Sequence, residues 1–213
     1  MKKVILSSIL LAGVFTACSP SEGTDAEENA SGKVLTELPG SAEMSEAMDM
    51  IIKKAGFSSI NEVEFFELGS NYTPSIIDGN DAVVYVEATL VDKKDKNKLL
   101  SYTYMFSEGT VGEGEEVILT SGIGSSEEIV EGYEVFKSNL FKISDIPSFS
   151  KMDDMKKIAL EKSGYKKEDQ YISSYTSEYS RMGRFETDMT VRHKKVNTMS
   201  KTIYFDKNGD FLK

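Results

Sequence analysis

The sequence predicts an α+β fold made of two tandem modules, each with one helix packed on a three- to four-stranded antiparallel sheet. Three observations lead to this prediction. A helical pattern that ends in Ala55-Gly56-Phe57 occurs again 108 residues later, ending in Ser163-Gly164-Tyr165. A strand pattern follows each helix and repeats at an offset of 99 residues. The chain of 213 residues has a single cysteine, so a hydrophobic core rather than an intrachain disulfide must stabilise the modules.

Both predicted helices are amphipathic. Apolar side chains recur at intervals of three and four residues, which places them on one face of a helix. These positions are Met44, Met48, Ile51, Ile52 and Ala55 in the first copy, and Met152, Met155 and Ala159 in the second. A glycine follows each helix where a left-handed cap is expected. Methionines at this spacing are typical of core packing rather than of a ligand site.

Strands with alternating inward and outward residues follow each helix. The inward residues are Val84, Val86, Ala88 and Leu90 in the first copy, and Phe185, Thr187, Met189 and Val191 in the second. Glu87 of the first copy matches Glu186 of the second. Turns at 93–98, 181–184 and 208–209 are expected to join the strands into hairpins. We therefore expect a first module over 41–124 and a second over 148–213.

A further helix is predicted between the modules. Ile129, Tyr133, Phe136 and Leu140 form an apolar stripe at helical spacing. The segment 125–147 is therefore expected to be a connecting helix and loop.

The N-terminus has the pattern of an export signal. Lys2 and Lys3 precede an apolar run from Val4 to Phe15, and small residues lead from there to Cys18. The run is shorter than the roughly 18 to 20 residues that span a bilayer. The segment resembles a bacterial lipoprotein signal. The resemblance implies cleavage after residue 17, acylation of Cys18 with a diacylglycerol and palmitate-type chains, and a lipid anchor in the cell envelope.

Residues 18–40 are expected to form the lipidated cysteine and a disordered acidic tether, because serine, glycine and acidic side chains leave little to bury. Ser19 follows the cysteine, where an aspartate commonly signals inner-membrane retention in Gram-negative lipoproteins. The serine therefore favours the outer membrane if the source is Gram-negative. The formal net charge of −10 argues against nucleic acid as a partner. It also predicts repulsion from anionic headgroups, so the lipid itself is expected to make the membrane contact.

A second resemblance rests on the repeated helix-and-sheet unit and on the closing segment Tyr204-Phe205-Asp206-Lys207-Asn208-Gly209-Asp210-Phe211. In an exported lipoprotein, these features resemble bacterial envelope proteins with PepSY-like or β-lactamase-inhibitor-protein-like repeats, over roughly 41–213. Those inhibitors carry disulfides that this chain cannot form. The resemblance implies binding of a protein partner on a concave sheet, and it transfers no site residues.

Side chains suited to catalysis are few. His193 is the only histidine and acylation would consume the only cysteine, so neither a cysteine–histidine pair nor a multi-histidine zinc site can be built. We expect no cofactor and no metal, and a non-catalytic module that binds an exported protein or peptide. Two alternatives stay open: a carboxylate-based hydrolase with its site between the modules, and an architectural envelope protein.

One candidate binding face is predicted on the first strand of the second module. Its residues share one parity and alternate tyrosine with serine: Tyr171, Ser173, Tyr175, Ser177 and Tyr179. Tyrosine supplies rigid amphipathic contact area and serine supplies adaptable hydrogen bonds, which is typical of binding surfaces. The alternative is that the tyrosines lie beneath the helix at 152–162 as core. The residues of the other parity are the more polar ones, which favours burial of the tyrosines: Ile172, Ser174, Thr176 and Glu178.

Overall fold

The computed structural model describes residues 32–75, 82–121, 128–130, 132–180 and 183–212. The first half contains helix α1 (Ser41–Lys54) and strands β1 (Phe65–Thr73), β2 (Val83–Val91) and β3 (Leu99–Met105). Short elements follow: β4 (Thr110–Val111), β5 (Glu115–Glu116), β6 (Leu119–Ser121), β7 (Glu128–Val130) and α2 (Tyr133–Phe136). The second half contains α3 (Met152–Ser163), β8 (Gln170–Tyr179), β9 (Phe185–His193) and β10 (Val196–Phe205). The α+β fold class is confirmed.

Both halves of the chain contribute to one antiparallel sheet of eight strands. Its order is β10-β9-β8-β1-β2-β3-β4, with β5 beside β3, and β6 and β7 form a separate hairpin. β1 and β8 pair in the middle, from Glu67 opposite Glu178 to Asn71 opposite Ser174. The two predicted modules therefore share one sheet instead of each closing a sheet of its own.

We call the two ends of this sheet the Lys33 end and the Lys94 end. At the Lys33 end, the backbone N–H of Lys33 donates to the carbonyl of Phe106, just beyond β3, at 2.6 Å. Antiparallel pairing across the sheet places the end of β3 and the turn between β9 and β10 at this same end. The turn over 92–98, which joins β2 to β3, lies at the opposite Lys94 end.

One core lies between the sheet and the two long helices. The predicted helical stripes are buried, with Met44, Met48 and Ile51 of α1 joining Met152 and Met155 of α3 in a single apolar cluster. The inward residues of β1, β2, β8, β9 and β10 complete that cluster. Gly56 and Gly164 follow the helices with φ values of +80° and +72°, as the predicted left-handed caps require. Both helices therefore cover the same face of the sheet.

The predicted disordered tether extends too far along the chain. Leu38 is only 1% exposed and belongs to the core cluster, and its carbonyl accepts a hydrogen bond of 2.8 Å from Lys156 Nζ of α3. The same ammonium donates to the Glu37 carboxylate at 2.8 Å. The polar composition of 18–40 gives no sign of this contact, because a single buried leucine holds the segment against the core. Cys18 and the rest of the predicted signal and tether before residue 32 lie outside the described residues.

The predicted connecting helix is also wrong over most of its length. Helix α2 spans only Tyr133–Phe136, and the earlier part of the stripe is strand β7, with Ile129 opposite Thr120 of β6. β-Branched residues at 129 and 130 favour a strand. Gly132 then adopts a φ of +97°, which an α-helix cannot contain. Phe136 packs with Phe66, Leu99 and Leu119 in a small cluster on the sheet face opposite the helices.

We predict that Leu38 is a structural anchor. Leu38→Ala should lower the free energy of unfolding by about 2 to 5 kcal/mol, because it removes a fully buried leucine from the core. Urea denaturation followed by circular dichroism measures the change. Val34→Ala is the matched control, since Val34 is 61% exposed and its truncation should leave the urea midpoint unchanged. Equal stability of the two variants would show that the segment before α1 is not part of the fold.

Candidate functional site

The central residues of the predicted tyrosine–serine face are part of the core. Tyr175 and Ser177 have no exposed surface, and Ser177 Oγ donates to the Tyr175 hydroxyl at 2.9 Å and lies 3.0 Å from Thr187 Oγ1. Burial raises the pKa of Tyr175 to about 12. Tyr179 is half-buried against Phe185, with the ring centroids 5.3 Å apart. Tyr175 and Ser177 therefore form an internal hydroxyl network with Thr187 and present no surface to a partner.

The other two residues of that set are displaced by a β-bulge in β8. Ile172 lies opposite Val191, whereas Ser174 lies opposite Thr190, so Ser173 is the extra residue. Ser173 is buried, donating to the Thr190 carbonyl at 3.2 Å and accepting from Arg192 Nε at 3.2 Å. Ile172 and Tyr175 therefore both reach the core, which a strict alternation forbids. Tyr171 is half-buried, with its ring edge-on to Tyr72 at 5.7 Å.

The face of the sheet away from α1 and α3 carries a different group of polar residues. Its members alternate along β1, β2, β8 and β9 with buried residues such as Leu68, Val86 and Met189. We call five of them the acidic face: Glu67, Glu87, Glu178, Glu186 and Asp188. Hydroxyl side chains surround these carboxylates, among them Tyr85, Ser101, Thr176, Thr190, Thr202 and Tyr204. The small Phe66 cluster lies on the part of this face formed by β1, β2 and β3.

Strand register brings the carboxylates of the acidic face together. Glu67 of β1 lies directly opposite Glu178 of β8, and Glu178 lies opposite Glu186 of β9. These three acids therefore form a row across neighbouring strands, which are about 4.8 Å apart in a sheet. Asp188 lies one outward position further along β9, opposite Thr176 and Tyr204. Glu87 Oε1 accepts a hydrogen bond of 2.7 Å from Ser101 Oγ.

The crowding changes the proton affinity of two of these acids. Partial desolvation of its carboxylate by the surrounding sheet, with Glu178 and Glu87 nearby, raises the pKa of Glu67 to about 7. Burial, with Glu178 and Glu186 nearby, raises the pKa of Asp188 to about 7 as well. The Glu67 side chain is solvent-exposed, so water screens part of its repulsion, whereas Asp188 is half-buried. Solvent screening therefore weakens the pKa shift of Glu67 more than that of Asp188.

The remaining sequence candidates have structural roles. His193 Nδ1 accepts the backbone N–H of Lys195 at 3.2 Å, in the turn between β9 and β10. Asp206 Oδ1 accepts the N–H groups of Asn208 and Asp210 at 2.8 and 3.0 Å, so this acidic segment is a hairpin turn. Backbone hydrogen bonds, first of all from Asp210, lower the pKa of Asp206. Within the described ranges, no group of three or more histidine, cysteine or acidic residues is arranged to hold a metal ion.

The acidic face can accept hydrogen bonds and cationic groups, with Glu67 exposed to solvent and the other four acids half-buried. A cavity of about 30 Å³ lies beside Leu99, Glu116 and Phe136 and has room for about one water. The internal duplication indicates part of this face, because Glu87 and Glu186 match at an offset of 99 residues. The contribution of β8 was missed, because the sequence does not show which strand lies beside β1.

Comparison with known proteins gives one structural likeness. No protein-family model and no curated protein matches the chain. The chain is similar to the crystal structure of a putative lipoprotein (CD1622) from Clostridium difficile 630, with 14% sequence identity and a TM-score of 0.46. The likeness covers 88% of this chain and 97% of that one. The resemblance to PepSY-like or β-lactamase-inhibitor-protein-like repeats stays a prediction.

Across the part of the chain that the structure describes, no helix combines the length and apolar character needed to cross a membrane.

We predict that the acidic face makes stability depend on pH. A carboxyl group with a raised pKa in the folded chain holds its proton preferentially there. Its contribution to stability is complete below the unfolded pKa of about 4 and is lost as the pH rises through about 7. The free energy of unfolding of the wild type should therefore fall between pH 5 and pH 8, and Asp188→Asn should reduce that fall. Urea denaturation at several pH values measures both slopes.

The control for this experiment is Thr202→Ser on β10, which alters an exposed position of the same face without removing a charge. It should keep the wild-type pH profile. If Asp188→Asn and the wild type have the same slope between pH 5 and pH 8, Asp188 does not hold a proton in this range.

Proposed function

We propose that this chain is a lipid-anchored, non-catalytic protein of the cell envelope that binds an exported protein or peptide on its acidic face. The observation that carries the proposal is the position of Glu67 directly opposite Glu178, on a sheet face that neither α1 nor α3 covers. Like charges directly opposite each other on paired strands destabilise a sheet. A partner that places positive charge against this row gains favourable electrostatic interactions with its carboxylates.

The chemistry of the face defines the class of partner. Three acids in a row across β1, β8 and β9 complement lysine and arginine side chains, and the surrounding hydroxyl groups can donate hydrogen bonds to a backbone. Glu67 stays solvent-exposed, so a partner can reach it without any movement of the fold. The proposed partner is therefore a basic segment of an exported polypeptide.

The anchor and location belong to the same proposal. The basic start at Lys2 and Lys3, the apolar run and the position of Cys18 support export and acylation of that cysteine. Two or three acyl chains give an anchor that is almost permanent, since each buried methylene contributes about 0.8 kcal/mol. Ser19 supports the outer membrane if the source is Gram-negative.

A hydrolase is the second candidate function, because Glu67 and Asp188 both have a pKa raised to about 7, which suits a general acid. The solvent exposure of Glu67 favours binding over this alternative, because a general acid works best in a site that excludes water. Hydrolysis of a bound peptide by the wild type, lost in Asp188→Asn, would favour the enzyme.

We predict that a partner contacts the sheet through Thr176, which lies between Gly69 and Asp188 on the acidic face. A photo-reactive amino acid at position 176 should give a discrete crosslinked product in intact cells. The same amino acid at Lys157, exposed on α3 across the molecule, is the control and should give none. Glu178→Lys should abolish the product at position 176 because it reverses the charge at the centre of the row.

The matched charge control is Glu161→Lys on α3, which changes the net charge equally at an exposed position outside the face. It should leave the crosslinked product intact. Equal products from positions 176 and 157, or loss of the product with both lysine variants, would contradict binding on the acidic face.

We predict separately that Cys18 holds the protein on the membrane. Cys18→Ser should move the protein from the membrane fraction to the soluble fraction, because no acyl chain can be attached. Fractionation of cells, with immunoblotting of both fractions, measures the distribution. Ser19→Thr is the control and should remain with membranes. A Cys18→Ser protein that is processed yet stays with the membranes would exclude lipidation as its anchor.

A further inference from the structure

A second charged region of opposite sign lies at one corner of the molecule. Six exposed basic side chains gather around the turn between β9 and β10, the loop before β8, and the adjoining parts of β9 and β10. We call them the basic corner: Lys166, Lys167, Arg192, Lys194, Lys195 and Lys201. The acidic residues among them are Glu168 and Asp169, and Asp169 is already paired with Lys195 at 2.9 Å. A chain with a formal net charge of −10 therefore concentrates positive charge in one place.

Apolar and aromatic groups accompany this positive charge. Val196 is 39% exposed and Met199 is 44% exposed, both at the start of edge strand β10. Tyr165 belongs to the same corner, with Lys201 Nζ 5.4 Å from its ring centroid and the His193 ring edge-on at 5.5 Å. Exposed apolar side chains beside lysines and an aromatic ring are the composition of a surface that lies in the headgroup region of a bilayer.

The corner also lies at the end of the sheet where the chain enters the fold. Lys33 pairs with Phe106 at that end, and the turn between β9 and β10 is there too. Cys18 is 14 residues before Gly32, a stretch that reaches at most about 50 Å when fully extended. A ten-residue strand is about 33 Å long. An anchor at Cys18 therefore brings the Lys33 end to a membrane most directly. With the Lys94 end at the membrane instead, residues 18–32 would have to run the length of the sheet and would use most of their extended length.

We propose that the basic corner contacts the anionic phospholipid headgroups of the membrane in which the chain is anchored. The inference rests on the proposed anchor at Cys18, which would hold the chain at a membrane. Charge complementarity identifies anionic headgroups as the groups that the basic corner contacts. Each lysine near an anionic surface contributes about fivefold to partitioning. The overall negative charge predicts repulsion, but charges beyond a Debye length of about 8 to 10 Å are screened. The local positive charge therefore decides the contact.

Tryptophan fluorescence can test the contact directly, because the chain has no tryptophan. Met199→Trp places a probe in the corner. Ile118→Trp places the matched probe at the Lys94 end, where Ile118 is 56% exposed. The mature chain, from Cys18 onward, is coupled through that thiol to a maleimide lipid in vesicles that contain brominated phosphatidylcholine. Vesicles with and without about one third phosphatidylglycerol are compared, and this share sets a surface charge of the kind that recruits basic segments.

We expect lipid quenching of the Met199→Trp signal in the anionic vesicles, several-fold greater than in neutral vesicles and than for Ile118→Trp. Lys166→Gln, Lys167→Gln and Lys194→Gln together should reduce that quenching on the order of tenfold or more. The control triple is Lys94→Gln, Lys96→Gln and Lys207→Gln, which removes equal charge at exposed positions of the Lys94 end and should change nothing.

Three results would overturn the proposal: equal quenching of the two tryptophans, equal quenching in neutral vesicles, or equal loss in the two triple variants. Circular dichroism confirms that each variant folds. Because the thiol of Cys18 is coupled chemically here, these results do not depend on acylation in cells. Failure of the anchor appears only in the fractionation of Cys18→Ser, so the two outcomes stay distinguishable.

Discussion

Pairing between β1 and β8 is the constraint on which the rest of this structure depends. It runs from Glu67 opposite Glu178 to Asn71 opposite Ser174, and it joins strands that are about a hundred residues apart in the chain. With this pairing, the first strand of each half becomes a central strand, and α1 and α3 come to cover one face together. Neither of these helices packs on the opposite face, where the polar residues of β1, β2, β8 and β9 lie.

The same pairing sets the chemistry of that surface. The acids that meet at the junction come from different halves, Glu67 from the first and Glu178 from the second. On the neighbouring strand β9, burial raises the pKa of Asp188, and Glu178 and Glu186 nearby raise it further. The helix side compensates with a direct link between the halves, in which Lys156 of α3 holds the Leu38 carbonyl and the Glu37 carboxylate. Stability is therefore gained on one face and given up on the other.

Local sequence patterns predict the parts of this fold that depend on local interactions. The stripes of α1 and α3, the glycine caps and the hairpin from Asp206 to Asp210 follow from spacing within a few residues. The pairing of β1 with β8 does not, because nothing local specifies a partner about a hundred residues away. The bulge at Ser173, in the pairing of β8 with β9, reverses the parity of β8 and defeats a prediction based on strict alternation. Leu38 was missed because its burial depends on α3, far along the chain.

The distance between the acidic face and the basic corner would let the two charged regions act independently. Contact of the basic corner with headgroups would place the Lys33 end at the membrane and direct the strands away from it. Glu67 and Glu178 lie six and eight residues from the strand ends at Thr73 and Gln170, so they would stand about 20 to 26 Å from the Lys33 end. This distance exceeds the Debye length of about 8 to 10 Å. The acidic face would then be close to the membrane yet electrostatically independent of it, and a basic partner could bind there without competition from the headgroups.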